Sequence, residues 1–313
     1  MTLRLAGFGS FHVGGRVHDV RGEPVRRINF TPTAALDHDP NGRFTVEQAY
    51  VQYFIPEQQR EAPPLLLVHG GGLTGAMWET TPDGRPGWLH HFLDAGFATY
   101  VIDNVERGRS GFPVDETVWD GKPIARSDRE AWSLFRFGRD ADFEARIPLP
   151  GQRFPLAHYD ALLASFVPRW TSTTQVQVAG LIAAMERIGP CTLVCHSHGG
   201  DIGSRAAMAR PDLVAGFVSV EGTGFPPADA ITPETVAGKP WLYLMGDYLD
   251  LTPLWQGLEV ATRETVERLV AAGGSAEYLD LPEHGFPGST HMMMMDENSD
   301  EIARWLVRRL VTP

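Results

Sequence analysis

Cys195-His196-Ser197-His198-Gly199-Gly200 is the stretch that decides how this chain reads. It follows the short apolar run Thr192-Leu193-Val194 and precedes a helical pattern over 201–210, stopped by Pro211. A strand, a sharp turn with a central Ser, then a helix is the setting of a nucleophile elbow. There the turn lifts the Ser hydroxyl above the sheet edge, and the helix aims its N-terminus at the reacting centre. The G-x-S-x-G pattern of such elbows is only half kept, because Cys195 stands at the first Gly position while Gly199 holds the second.

A hydroxyl nucleophile needs a base, an acid to orient the base, and donors for the oxyanion. Upstream of the elbow, His69-Gly70-Gly71-Gly72 follows the apolar run Leu65-Leu66-Leu67-Val68. Glycines let backbone N–H groups approach a substrate closely, so this loop reads as half of an oxyanion hole, with Gly71 and Gly72 as donors. The N–H of His198, next after the nucleophile, is the other half. The loop lacks the Lys-Ser/Thr ending of a phosphate-binding P-loop. For the base, His284 and His291 both follow the last strand pattern, and position favours His291, just before the terminal helix pattern. His196 and His198 flank the Ser but cannot easily fold back onto its hydroxyl; one is expected in packing and one near the pocket. His69 is expected to hold the oxyanion loop. For the acid, Glu221, Asp247 and Asp250 all preserve the order Ser, acid, His, and spacing alone does not separate them.

Outward from the site, apolar runs alternate with helical patterns. Strands are expected at 65–68, 98–102, 192–195, 214–220, 241–245 and 276–281, with helices over 88–95, 175–188, 258–272 and 299–310. This alternation predicts a mostly parallel sheet. Phe11-His12-Val13, Arg16-Val17 and the run 49–55 predict antiparallel strands at one edge. About seventy residues between the strand at 98–102 and the helix at 175–188 break the alternation, longer than a structureless loop usually runs. They hold Trp119, Trp132, Phe135, Phe137, Phe143, Phe154, Phe166 and Trp170. We read 112–172 as a partly helical cap inserted into a single domain spanning 1–313. Its aromatic residues either line an apolar pocket or form a small core of their own.

Composition narrows the function classes. Apolar content of 43% and charged content of 21% are those of an ordinary globular chain. A formal charge of −12 argues against nucleic-acid binding, which needs a basic footprint. No apolar run reaches the roughly 18 residues of a spanning helix, so no membrane partner is expected. The segment 1–16 does not read as a signal peptide, so a cytoplasmic location is expected, with the mature form of an exported protein as the alternative. Cys191 and Cys195, four apart on one strand, would have Cα atoms roughly 13 Å apart, too far for a disulfide, and are expected as buried core residues, with a redox-active or catalytic Cys195 as the alternative. No metal or cofactor is implied.

With these residues in place, the chain resembles the α/β-hydrolase superfamily, and within it a small family of bacterial serine esterases using a Ser-His-Glu triad. The matching stretches include His69-Gly70, Leu73-Thr74-Gly75, Trp78-Glu79-Thr80-Thr81-Pro82-Asp83-Gly84-Arg85 and Tyr100-Val101-Ile102-Asp103. They continue through Gly108-Arg109-Ser110, Phe135-Arg136-Phe137-Gly138, His196-Ser197, Val218-Ser219-Val220-Glu221, Gly246-Asp247 and His291-Met292-Met293-Met294. The likeness covers most of the chain from about residue 45. It implies an α/β-hydrolase fold with antiparallel N-terminal strands and a cap insertion. It also implies an acid one strand earlier than usual, which selects Glu221, and a base at His291. Gly71 and Gly72 stand where a member of that family carries two cysteines, a departure that would widen the acyl or alcohol site. The resulting expectation is a serine carboxylic-ester hydrolase acting on a small-molecule ester, with Ser197, His291 and Glu221 as triad and no cofactor. Lactone, thioester or carbon–carbon bond hydrolysis and acyl transfer use the same machinery. A non-catalytic hydrolase-fold binding protein is the rival from another class. A homodimer is compatible with the sequence.

Overall fold

The chain opens with β1 (Leu5–Val20), a ribbon of β2 (Arg26–Thr31) and β3 (Ala34–His38), and the long β4 (Gly42–Pro56). Next come β5 (Leu65–Val68), α1 (Trp88–Asp94), β6 (Thr99–Asp103), α2 (Asp128–Leu134), α3 (Tyr159–Ala164) and α4 (Thr174–Ile188). The second half holds β7 (Cys191–His196), α5 (His198–Ala209), β8 (Val214–Val220), α6 (Pro233–Val236), β9 (Pro240–Met245), α7 (Pro253–Ala271), β10 (Ser275–Asp280) and α8 (Ser299–Val311). These elements come from a computed structural model that describes residues 3–311. Met1, Thr2, Thr312 and Pro313, the ends of the expected 1–313 domain, lie outside the described residues.

Eight strands form one sheet in the order β1-β4-β6-β5-β7-β8-β9-β10. From β6 to β10 every neighbouring pair is parallel, while β1 with β4 and β4 with β6 are antiparallel. Helices cover both faces, so the central strands β5, β6, β7 and β8 are buried almost throughout rather than alternately. In β5, Leu65 and Leu67 pack with Trp88 and Phe92 of α1 and Ile302 and Leu306 of α8. Leu66 and Val68 face the opposite way, onto Leu181 and Ala184 of α4 and Ile202 and Ala206 of α5. All four β5 side chains are at most 1% exposed, and burial of each contributes about 1.5–3 kcal/mol relative to exposure. In β7, Cys191, Leu193 and Cys195 share the α4/α5 face, and Val194 takes the other. Both cysteines are free and buried.

Four features depart from the sequence reading. β1 runs unbroken through Gly14 and Gly15, whose φ of 66° and 86° a glycine adopts without strain. The ribbon β2–β3 had no sequence signal, because neither of its faces is buried; Ile28 and Phe30 stay exposed. Helix α5 starts at His198, three residues before the apolar pattern begins, directly behind the elbow Ser. Between β6 and α4, the only α-helices are the short α2 and α3. The aromatic residues of that stretch mostly pack on one another. Trp132 meets Phe143 and Tyr159, Phe137 meets Phe154 at 4.2 Å, and Trp119 meets Trp170 at 5.0 Å. Among the described residues no helix is long and apolar enough to cross a membrane.

Candidate active site

The carboxyl ends of β5, β7, β8 and β9 meet along one edge of the sheet, where ligand crevices of open parallel sheets form. Ser197 stands between β7 and α5 with φ 52° and ψ −122°, a strained conformation for a non-glycine residue. Neighbouring backbone holds it there. Its N–H donates to Val220 O at 3.1 Å, and its carbonyl accepts from Gly200 N at 2.8 Å and Thr223 N at 3.0 Å. A Cβ at Gly199 would lie 2.7 Å from His69 O, and one at Gly200 would lie 2.7 Å from Gly222 Cα, so both must be glycine for the turn to close. Cys195 finds room where glycine was expected because Gly203, one turn into α5, has no Cβ; one there would collide with the Cys195 sulfur.

His291 and Glu221 meet at the same edge. Their Nδ1 and Oε2 atoms are 2.6 Å apart. With Nδ1–H donating to the carboxylate, Nε2 is left as the acceptor nitrogen. The imidazole is wedged among Phe135, His196 and Trp255, with ring centroids at 5.3, 4.6 and 4.8 Å. Its loop is tied down by the buried Asp296, which accepts from Thr290 N and Thr290 Oγ1, both at 2.7 Å. Arg85, from the long stretch matching the esterase family, donates to the carbonyls of Asp296 at 2.9 Å and Glu297 at 3.0 Å. Trp88 Nε1 donates to Ser299 O at 3.0 Å. Arg85 and, just beyond that stretch, Trp88 therefore clamp the loop carrying the imidazole.

Glu221 is fully buried and has a left-handed backbone, φ 47°. Its Oε1 accepts from Gly246 N at 2.7 Å and from Arg136 Nη2, and its Oε2 from Arg136 Nη1 at 2.9 Å. Arg136 is itself fully buried, donates through Nε to Asp247 O at 2.7 Å and lies 4.1 Å from the centroid of a Trp255 ring. Burial alone would raise the Glu221 carboxyl, but Arg136 and His291 outweigh it and hold it down to about 2. Burial lowers His291 and Arg136 and Arg126 add to this, against the opposing pull of Glu221. In the sequence Arg136 stands out only as part of a matching stretch. Its charge inside an aromatic segment, Phe135-Arg136-Phe137, is the signal that a buried partner was needed.

The other candidates lie elsewhere or do different work. Asp247 braces the neighbouring loops, accepting from Tyr248 N at 2.7 Å and Gly288 N at 2.8 Å. Asp250 is exposed. His284 is exposed on the outer surface, 5.2 Å from the Trp305 ring. His69 holds its loop: Nε2 accepts from Asn104 N at 3.0 Å and Nδ1 donates to Gly70 O at 2.8 Å. Burial and the nearby Arg107 push its pKa down to about 4. His196 packs on His291 and contacts its carbonyl at 3.0 Å. His198 is half-buried at the cavity, and burial with Arg169 and Arg107 holds it to about 3, so it is neutral there.

Ser197 and His291 share a cavity of about 260 Å³ with Gly71, His198, Leu134 and Trp255. Of the cap aromatics named from sequence, only Phe135 reaches it among the described residues. Gly71 lines the cavity, whereas Gly72 is buried and outside its lining, with φ 77° and a carbonyl that accepts from Val167 N at 2.9 Å. Among the described residues the N–H groups of Gly71, Gly72 and His198 donate to no protein acceptor. No group of three or more His, Cys, Asp or Glu is placed to hold a metal among the described residues.

Comparison with known proteins bears on the whole chain. The α/β-hydrolase fold family model matches residues 63–263. A solved structure described as a novel bacterial esterase is 31% identical and superposes with a TM-score of 0.87 over 99% of this chain and 96% of its own. A fungal protein described as a probable secreted lipase (Fungal sp., strain ATCC 74256) is 29% identical over 84% of this chain and 85% of its own. The chain belongs to the α/β-hydrolase fold family and is a carboxylic-ester hydrolase of the esterase and lipase type.

Proposed function

We propose that Ser197, His291 and Glu221 form a catalytic triad that hydrolyses small carboxylic esters through an acyl-enzyme. The observation that carries this reading is the 2.6 Å contact between His291 Nδ1 and Glu221, behind a cavity that the strained Ser197 shares with His291. Ser197 Oγ attacks the ester carbonyl carbon while its proton passes to His291 Nε2. Glu221, held ionised by Arg136, fixes the tautomer and stabilises the imidazolium. The N–H groups of His198 and the Gly71-Gly72 turn receive the oxyanion, and each such donor is worth about 3 kcal/mol in the transition state. The tetrahedral intermediate collapses as the imidazolium protonates the departing alcohol. Water, deprotonated by His291, then attacks the acyl carbon, and the proton returned to Oγ restores the Ser.

A cavity of about 260 Å³ lies below the usual range for ligand pockets, roughly 300–1,000 Å³, and favours short acyl and alcohol parts. The test is rapid mixing with 4-nitrophenyl acetate. The reading expects a burst of 4-nitrophenol, one equivalent per chain, before slower turnover. A burst that persists in Ser197→Ala contradicts it. The cytoplasm remains the proposed location. The fungal relative's description as secreted makes export the alternative, which fractionation of expressing cells decides.

A further inference from the structure

The protein carries a formal charge of −12, yet among the described residues its active-site cavity is lined by two arginines, Arg126 and Arg169, and by no acidic residue. Both arginines come from the stretch between β6 and α4. A single antiparallel bridge, with Ile124 N donating to Arg169 O at 2.7 Å and Arg169 N to Ile124 O at 2.9 Å, joins their two segments, and the Arg126 charge acts on Arg169. The Arg169 strand is pinned on either side. Val167 N donates to Gly72 O, and Trp170 N donates to Glu106 Oε2 at 2.9 Å. This fixes the guanidinium against the oxyanion loop, where a Cβ on Gly71 would collide with Arg169 Nη1.

Neither guanidinium is satisfied. Among the described residues Arg169 has no carboxylate ion-pair partner, and its buried Nε has no acceptor. Glu106, the acid whose charge it feels most, is already engaged by Arg107 at 2.8 Å, by Trp170 N and by Gln177. Arg126 pairs through Nη1 with the half-exposed Glu130 at 2.6 Å, but its own buried Nε is also left without an acceptor. Glu221 does not neutralise this wall, because it is fully buried and bound by Arg136 on both oxygens. A partly buried guanidinium with free donors is the side chain that recognises a planar carboxylate.

We propose that the substrate is an ester that also carries a free carboxylate, such as a monoester of a short dicarboxylic acid or an ester of a hydroxy acid, and that Arg169, assisted by Arg126, binds that carboxylate. The inference rests on the proposed esterase site at Ser197. It extends that site from carbonyl chemistry to the charge of the ester's remote end.

Matched pairs that differ only in charge provide the test. On the acyl side, the 4-nitrophenyl monoester of glutaric acid is compared with its methyl-blocked diester. On the alcohol side, 4-acetoxybenzoate is compared with methyl 4-acetoxybenzoate. At low ionic strength the anionic member of at least one pair is expected to show a kcat/KM about tenfold higher or more, from a charge-assisted bidentate contact. Arg169→Met should cut that ratio by about tenfold, and added salt should reduce it in the wild type. Calorimetric titration of Ser197→Ala with monomethyl glutarate and dimethyl glutarate gives a second readout that needs no turnover. The anion should bind about tenfold more tightly, and Arg169→Met should remove the difference. Equal or reversed preference in both pairs and in binding overturns the proposal. So does an Arg169→Met variant that weakens neutral and anionic esters alike, which would place Arg169 in the oxyanion loop's support instead. If no ester is turned over but the anion still binds through Arg169, the esterase reading fails and the carboxylate site stands.

Discussion

Glu221 sits where two demands meet. In the proposed triad it has to stay ionised without water and to hold one nitrogen of His291. Arg136 answers the first demand with two hydrogen bonds, and Gly246 N adds a third donor. Glu221→Gln keeps the shape but removes the charge and can present the wrong group to Nδ1, so kcat for a neutral ester should fall by about 10³- to 10⁴-fold. Asp247→Asn touches only loop hydrogen bonds and should cost far less, about tenfold at most. Steady-state kinetics on both variants checks the ranking, and the reverse order would move the acid to Asp247. Arg136 makes a separate prediction through pH. Burial and Arg136 lower His291, so the acid limb of kcat/KM should fall below the ordinary imidazole value of 6.5, with activity lost only as pH drops through it. In Arg136→Met one of the depressing charges is gone, and the limb should shift to higher pH. Arg136→Lys keeps the charge and should leave the limb near its wild-type position. Loss of the buried partner in Arg136→Met also costs about 3–5 kcal/mol, readable in the melting temperature.

At the scale of the element, the elbow shows why a motif mismatch need not break a fold. The first consensus glycine makes room between strand and helix, and here that room has moved to Gly203 on α5. Gly203→Ala should therefore destabilise the protein by about 1–3 kcal/mol despite alanine's better helix propensity. Cys195→Ala removes the obstructing sulfur and should relieve most of that cost when combined with it. A double-mutant cycle by denaturant unfolding measures the coupling, and additive effects would show that the two side chains do not share the space. Elements buried on both faces were legible in the sequence almost to the residue: β5 at Leu65–Val68 is wholly apolar, and β8 at Val214–Val220 is broken only by Gly216 and Ser219. The ribbon Arg26–Thr31 and Ala34–His38 was not, because a pattern of burial cannot be read where nothing is buried. The start of α5 was missed for another reason: His198, Gly199 and Gly200 follow the demands of the turn and not those of helix propensity.

For the molecule as a whole, the order of strands explains which parts of the site the sequence could reveal. Parallel strands deliver His69, Ser197 and Glu221 to one edge, so the order of motifs along the chain already implied their convergence. Choosing Glu221 over Asp247 and Asp250 came from the family resemblance, since position after a strand is common to all three. The contribution of the stretch between β6 and α4 was hidden, because its contacts are made across more than a hundred residues to Asp247 and through one isolated bridge at Ile124 and Arg169. Its aromatic content pointed to a pocket wall, while most of those rings fill the stretch's own interior and its arginines reach the cavity. The account turns on Ser197 as the nucleophile within this frame. Fluorophosphonate labelling followed by peptide mass mapping tests it most directly. One adduct per chain on the peptide containing Ser197, with ester turnover lost in step with labelling and no adduct in a folded Ser197→Ala variant, is the predicted result. An adduct on another residue, or ester turnover retained by Ser197→Ala, would contradict it.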